Sequence, residues 1–507
     1  MQRLPRLLGL AEALSVVVGG VIGASIFIVP SAVAQNVPFF GGVLLVWILG
    51  GLISFAGALT LAELAAMLPR AGGGYAYIHE ALGALPAFLF AWTDTLLVRA
   101  GAIAAISFGF GIYCSKLVQA PFELHSEVWQ SIIAILLVAT LAALNAVGTQ
   151  IGARVQVAGT LLKCGGLGFA IVIPFLFSRH PTVLTLGPCW PRKADLGILG
   201  GMLTAIVPVL WSYGGWEQLG HLGEEVREPG KNLPKGLGIG MALVAVFYLG
   251  VTVAIHMVLP IRQIAASDAV GADFFQRILG PCGTYLISVV VMGSAVLSAN
   301  AALLCGPRSC FAVARDGLSP KWLASIHLRY RTPANAILLT AACSIALVCL
   351  SAGMVSIHFP STPYDGPTIF RLIGSLSNGL PRKPLYEILV SYAMLGFLIF
   401  NALMVVSALV LRAKHPDWPR PYRTWGYPVT PLLNLFATAF LLFSMLWTSP
   451  FEVLSGGTIV ALGIPVFLIC RRCFGPDRSV AKTHRTPLGQ TTQQEGSIES
   501  RNQWGFQ

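Results

Sequence analysis

Apolar runs of about twenty residues recur from Leu8 to Cys470, parted by short polar segments, and this recurrence leaves the chain very few folds. A run of that length crosses the ~30 Å of a bilayer's hydrocarbon core as a helix. Lipid gives an open backbone no hydrogen-bond partner, so a spanning segment is either a helix or a strand of a closed barrel. Barrel strands are segments of about ten residues with alternating polarity, and these runs do not alternate. Only 11% of the 507 residues are charged, against ~25% in a soluble domain. The expected class is an all-α polytopic membrane protein without a separate soluble domain. Spans are expected at 9–35, 40–68, 84–117, 128–147, 154–177, 197–221, 236–258, 282–312, 334–353, 386–411, 430–448 and 452–470, about twelve in all.

Arg3 and Arg6 ahead of an apolar stretch, with "AVAQ" at Ala32 to Gln35, suggest a secretory signal. The stretch exceeds the 7–15 residues of a signal core, so it is expected to remain as the first span. The net charge of +12 could suggest nucleic acid, but in a membrane chain its meaning lies in where the positive residues fall, and the partners expected are the lipid bilayer and a small amino acid, with no nucleic acid. Even parity puts both ends on one face, and alternate loops together with the ends hold about eighteen Lys/Arg against about nine opposite. Both termini are therefore expected to be cytoplasmic, in a cell membrane, and the polar, proline-rich segment 354–384 external. Residues 475–507 lack the apolar content to fold and read as a disordered tail. The ten cysteines have no metal-ligand spacing; Cys470 and Cys473 form a lone pair at the end of the last span, and no metal or cofactor is expected.

Two segments break the apolar pattern with glycine: "GGVIGASIF" from Gly19 and "LWSYGGWEQLG" from Leu210. Glycine costs a helix ~1 kcal/mol relative to alanine. Small residues also let membrane helices pack closely, and either segment alone is open to that reading. The two fall at corresponding places in the two halves of the chain, which favours a transporter of inverted repeats whose unwound backbone lines a cavity. Free N–H and C=O groups at that depth suit an α-amino acid, which needs both.

Six motifs lie in order: "GGVIGASIF", "LAELAAMLPRAGGGYAYIHEALGALPAFLFAW" (Leu61 to Trp92), "ARVQVAGTLLK" (Ala153 to Lys163), "YGGWEQLGHLGEEVREPGKNLP", "GPRSCFAVARDGLSP" (Gly306 to Pro320) and "RPYRTWGYPVTP" (Arg420 to Pro431). Through them residues 9–470 resemble the amino acid–polyamine–organocation superfamily, in particular its L-type amino acid transporters and their bacterial relatives. The resemblance implies the leucine-transporter fold: a transporter domain over 1–474, with repeats at about 9–177 and 197–411 and two peripheral helices at about 430–470. It implies substrate held at Val21, Gly23, Ala24, Ser25, Trp211, Tyr213 and Gly214. The amides of Ala24 and Ser25 would take the carboxylate, the carbonyls of Val21, Trp211 and Gly214 the ammonium, and Trp211 would gate. Ser25 departs from the family's common glycine. No cysteine lies within "VQAPFELHSEV" (Val118 to Val128), where heteromeric members join a heavy chain, so no obligatory heavy-chain subunit is expected.

Ionisable residues at membrane depth are functional candidates. Glu63 is open to a structural role, and Asp94 and Arg99 are expected to neutralise each other. Glu217 matches a glutamate of arginine/agmatine exchangers in the superfamily; it is read either as a proton sensor and attractor of cations or as the cap of a local network. His221 and His256 are expected as helix-end residues near the interface, without a role. Lys163 lies nine residues after Arg154, ~13.5 Å along a helix, too deep to reach the surface easily. In relatives with this spacing the lysine stands where sodium-coupled members hold an ion. It is expected to bridge the fifth span to the first near Gly19 and Gly20, and to the eighth near Ser298, either as a coupling group that loses and regains its proton during the cycle or as a permanently charged strut.

The expected function is secondary active amino acid transport by alternating access, through sodium-independent exchange or proton-coupled uptake, with a neutral amino acid favoured by Trp211. A cationic amino acid or polyamine antiporter is the alternative, on account of Glu217. An intramembrane enzyme is disfavoured because neither a GxSxG elbow in strand context nor an HExxH pair occurs. A channel is disfavoured by the lack of a repeated filter segment, and direct ATP drive by the lack of a Walker loop.

Overall fold

The computed structural model describes residues 4–117, 126–177, 189–190, 196–267, 269–356, 385–448 and 450–474. Regular structure among them is helical; the β contribution is a single parallel bridge between Leu8 and Val226. In chain order the helices are α1 (Leu10–Val21), α2 (Ser25–Asn36), α3 (Phe40–Met67), α4 (Gly74–Leu82) and α5 (Ala84–Thr93). A π-helical turn at Asp94–Arg99 joins α5 to α6 (Ala100–Leu117), followed by α7 (Ser126–Val147), α8 (Thr149–Phe177), α9 (Leu196–Ser212) and α10 (Gln218–His221). Then come α11 (Pro229–Val258), α12 (Ile261–Ala266), α13 (Val270–Leu279), α14 (Pro281–Cys305), α15 (Pro307–Arg315) and α16 (Ala334–Ser356). The last three are α17 (Leu385–Lys414), α18 (Val429–Thr448) and α19 (Pro450–Phe474).

Among the described residues nine helices are long and apolar enough to cross a membrane, and α1 with α2, bent by 43° at their break, makes a tenth. Two further apolar helices, Gly197–Ser212 and Ala334–Leu350, are shorter. The chain is an all-α, multi-pass membrane protein. Most of segment 354–384 and the tail 475–507 lie outside the described residues. One boundary differs from the sequence reading: α11 begins at Pro229, ahead of the span expected from 236. Pro229 occupies the first helical position, where its missing N–H has no intrahelical role, so proline starts this helix rather than delaying it.

Lipid tails are as apolar as leucine, so close packing, and not water exclusion, holds such helices together. α1 packs against α8, α11 and α14, and α11 packs against α3. Glycines allow these approaches: a β-carbon on Gly240 of α11 would stand 2.7 Å from Val17 Cγ1 of α1, and one on Gly50 of α3 would stand 2.5 Å from Val209 Cγ1 of α9. α8 shows how a single helix sorts its faces. Leu161 and Leu162 are 69% and 73% exposed on the outer surface, while Lys163 is 6% exposed and points inward.

Candidate functional site

The two glycine segments form two breaks that meet. α1 ends at Val21, Ile22 takes an extended conformation, and the helix resumes at Ser25. α9 ends at Ser212, and the backbone stays non-helical until α10 opens at Gln218. At Gly215 φ is +110°, and a β-carbon there would stand 3.0 Å from the Gly20 carbonyl oxygen. Only glycine satisfies both the dihedral and the approach.

Gly23, Ala24, Ser25 and Gly214 are partly exposed beside this junction. The first amides of a helix have no intrahelical acceptor, so the start of α2 presents the donors of Ala24 and Ser25 at the positive end of a helix dipole. Carbonyl acceptors face them, with partners already drawn in. Val21 and Ser212 each stand 3.0 Å from the Tyr248 hydroxyl, and the Trp211 carbonyl accepts from the Gly214 amide at 3.0 Å. The Trp211 ring is 38% exposed. Tyr213 is turned away from the junction. It is buried against Gly51 and, at ring separations of 5.9 and 5.0 Å, against Trp47 and Tyr248. Its part is to back Tyr248. Tyr248 itself is fully buried on α11, and its hydroxyl also meets Ser25 and the Gly23 amide, so one phenol touches both breaks. Sequence reasoning missed it, because a tyrosine within an apolar run reads as packing; a single phenol facing "GGVIGAS" across the bundle is visible only in three dimensions.

Lys163 closes the junction from the α8 side. Its Nζ donates to the Gly19 carbonyl at 2.8 Å, the Ile22 carbonyl at 2.7 Å and Ser298 Oγ at 3.1 Å. An ammonium has three protons, and all three find acceptors, on α1, on the break and on α14. The Gly20 carbonyl faces the second break instead. Beside the lysine, Thr160 donates to the Ser15 carbonyl at 3.1 Å, a second polar tie between α8 and α1.

The other charges at membrane depth are paired. Glu63 accepts from Arg412 at 2.5 and 2.8 Å and from the Thr424 amide at 2.6 Å, with Arg420 at 3.3 Å. This ties α3 to α17 and to the proline-rich loop beyond it. Asp94 and Arg99 pair at 2.9 Å, as expected of two opposite charges at membrane depth, across the π-helical turn. Glu217 Oε2 accepts the Gly215 amide at 3.0 Å inside the second break, and its Oε1 lies 3.5 Å from Arg99. His221 ends α10, as expected, and is 2% exposed and bonded to Arg99 and Ser309. His256 is buried too, with Nδ1 2.8 Å from the Thr252 carbonyl and its ring against Phe40. Both lie at helix ends, as expected, and burial by the protein around those ends is what the sequence did not show. Among the described residues no group of three or more His, Cys, Asp or Glu could hold a metal ion.

An unwound junction of two broken membrane helices, with helix-end amides and backbone carbonyls in reach, offers groups of the polarity that the two ends of a small zwitterion need. Residues 8–469 match the family model described as amino acid permease. The chain belongs to the amino acid permease family. The permease is 29% identical over 468 residues to the large neutral amino acids transporter small subunit 2 of Mus musculus, covering 91% of this chain and 80% of that protein. It is 28% identical over 474 residues to the human cystine/glutamate transporter, with 92% and 85% covered. To the human b(0,+)-type amino acid transporter 1 it is 27% identical over 447 residues, with 87% and 83% covered. These relatives are transporters, and the permease is a transport protein rather than an enzyme.

Proposed function

We propose that the permease moves a fairly large neutral α-amino acid across the cell membrane by alternating access, independently of sodium. The observation that carries this reading is the contact between the two breaks, which puts the amide end of α2 and the carbonyls of Val21 and Ser212 around one point. A carboxylate suits the first and an ammonium the second. Lys163 supplies a fixed cation between α8, the first break and α14, a role that a sodium ion would otherwise fill. Glu217 gives one oxygen to the Gly215 amide and turns the other to Arg99, so both oxygens are engaged within the protein and the carboxylate does not call for a cationic substrate. The name of one relative, for large neutral amino acids, agrees with a neutral substrate.

On this reading the chain has the leucine-transporter fold in two inverted repeats, with cytoplasmic termini, and works without an obligatory heavy-chain subunit. The deciding experiment is counterflow in proteoliposomes loaded in turn with leucine, alanine, arginine, glutamate and putrescine. Leucine should exchange best, at the same rate in sodium and in potassium buffer. Preference for arginine or putrescine, or a need for sodium, would overturn the assignment.

A further inference from the structure

Beneath the second break lies a group of ionisable side chains that binding a neutral zwitterion does not use. Asp94, Arg99 and Glu217 have side chains 4%, 6% and 8% exposed, and His221 lies among them. The hydrogen bonds assign its protons. Arg99 Nη2 only donates, and it stands 3.3 Å from His221 Nε2, so that nitrogen accepts and the proton of a neutral imidazole sits on Nδ1. Nδ1 faces Ser309 Oγ at 3.0 Å, and Ser309 donates onward to Asp94 Oδ2 at 2.8 Å. Asp94 is therefore an ionised acceptor, held also by Arg99 Nε at 2.9 Å. Glu217 is less well served: its Oε1 shares Arg99 Nη2 with His221, at 3.5 Å.

With His221 neutral, two carboxylates meet one guanidinium, and the group carries a net negative charge where lipid makes charge costly. The neighbours do not cancel it. Arg308 on α15 is paired with Glu225 at 2.9 Å. The other titratable groups nearby are the thiols of Cys305, Cys310 and Cys343 and the Tyr77 hydroxyl, which donates to the Gly220 carbonyl at 3.4 Å. Phe90 stacks on the imidazole, and α17 meets the π-helical turn with Gly396.

We propose that this group binds one transported proton, with two alternative seats, Glu217 Oε1 and His221 Nε2, exchanged through Arg99 Nη2. A proton on Glu217 removes its claim on Nη2, which then serves His221. A proton on Nε2 turns that nitrogen into a donor, and Nη2 then serves Glu217. Either state is neutral overall and keeps every other bond in the group. The π-helical turn and α15 hold Asp94, Arg99 and Ser309, whereas Glu217 and His221 belong to the second break and α10, so movement at the break changes which seat is better. The proposal rests on the amino acid transport reading and adds its coupling ion.

The test is the pH dependence of radiolabelled leucine counterflow by the full-length protein in liposomes, at equal pH on both sides. The wild type should follow a one-proton curve, changing about tenfold per pH unit at its steepest. The exchange that remains in Glu217→Gln should be flat, because Asp94 and Arg99 then balance each other and a proton on His221 would leave a net buried positive charge. His221→Gln should keep a one-proton curve with a displaced midpoint, since the Glu217 seat survives, and Ser309→Ala, which cuts His221 from Asp94, should displace it as well. A flat wild-type curve, or unchanged curves in all three variants, would overturn the site while leaving amino acid transport standing; absence of leucine counterflow in the wild type would overturn both.

Discussion

A lysine with its three protons all placed on acceptors within the protein is a structural cation before it is anything else, and Lys163 is in that position. Replacing it with alanine leaves the Gly19 and Ile22 carbonyls without their donor, at about 1–3 kcal/mol for each buried group. Lys163→Ala should therefore lose at least ~90% of leucine counterflow while still inserting, which fluorescence-detected gel filtration of a tagged protein checks. Tyr248 is a subtler case. Its single proton serves only one of the two carbonyls at 3.0 Å, so the other waits for a donor such as a substrate ammonium. Tyr248→Phe removes one net hydrogen bond of about 0.5–1.5 kcal/mol and should weaken leucine binding by roughly two- to twelve-fold, measurable as a change in half-saturating concentration with near-normal expression. The two residues were unequally legible. A lysine ~13.5 Å from the nearest surface marker advertises itself by depth, whereas a tyrosine in "AVFYLGVTVAIH" matches the aromatic and apolar residues that any buried helix carries.

Breaks and turns, rather than straight helices, give this bundle its chemistry. α1 rests on α8 so closely that a β-carbon on Gly19 would run into Thr160 Oγ1 and Gln156 Nε2. Gly19→Val should push α1 off its polar seat and abolish counterflow. Gly166→Ala on the same α8, with no neighbour nearer than 3.9 Å, should leave transport and thermal midpoint near wild type. Equal behaviour of the two variants in uptake and melting assays would contradict this account of the α1–α8 seam. The glycine-rich breaks could be read from sequence because lipid tolerates such segments only beside a cavity or a packing partner. The π-helical turn could not. Residues five apart lie on different faces of an α-helix, and only the wider turn at Asp94–Arg99 sets the carboxylate and guanidinium side by side. Nor could the network of Glu217, His221 and Ser309, whose members come from elements far apart in the chain.

At the scale of the whole molecule, one end of the bundle is held shut by charge. Arg308 and Glu225 pair at 2.9 Å with side chains 0% and 1% exposed, and Arg315 and Glu224 pair at 2.7 Å. Breaking a buried pair from one side strands the other charge, at a cost of about 3–5 kcal/mol. Glu225→Gln should accordingly lower the melting temperature of the detergent-purified protein by several degrees; an unchanged melting curve would argue that this end is already open in solution. On the proposed orientation this is the cytoplasmic end, and a cysteine at Ser361 should label from outside intact cells. The chain ahead of α1 belongs to the same closure: Glu224 accepts the Leu4 amide at 3.0 Å, and the Glu225 carbonyl accepts the amides of Leu7 and Leu8 at 2.9 and 3.0 Å. If α1 swings away to release cargo, these three bonds part together and the leading residues move with it. Arg6, exposed within that segment, and Lys231, exposed at the start of α11, thus make natural attachment points for a donor and an acceptor dye. Energy transfer between them would turn each turnover of a single molecule into an optical signal.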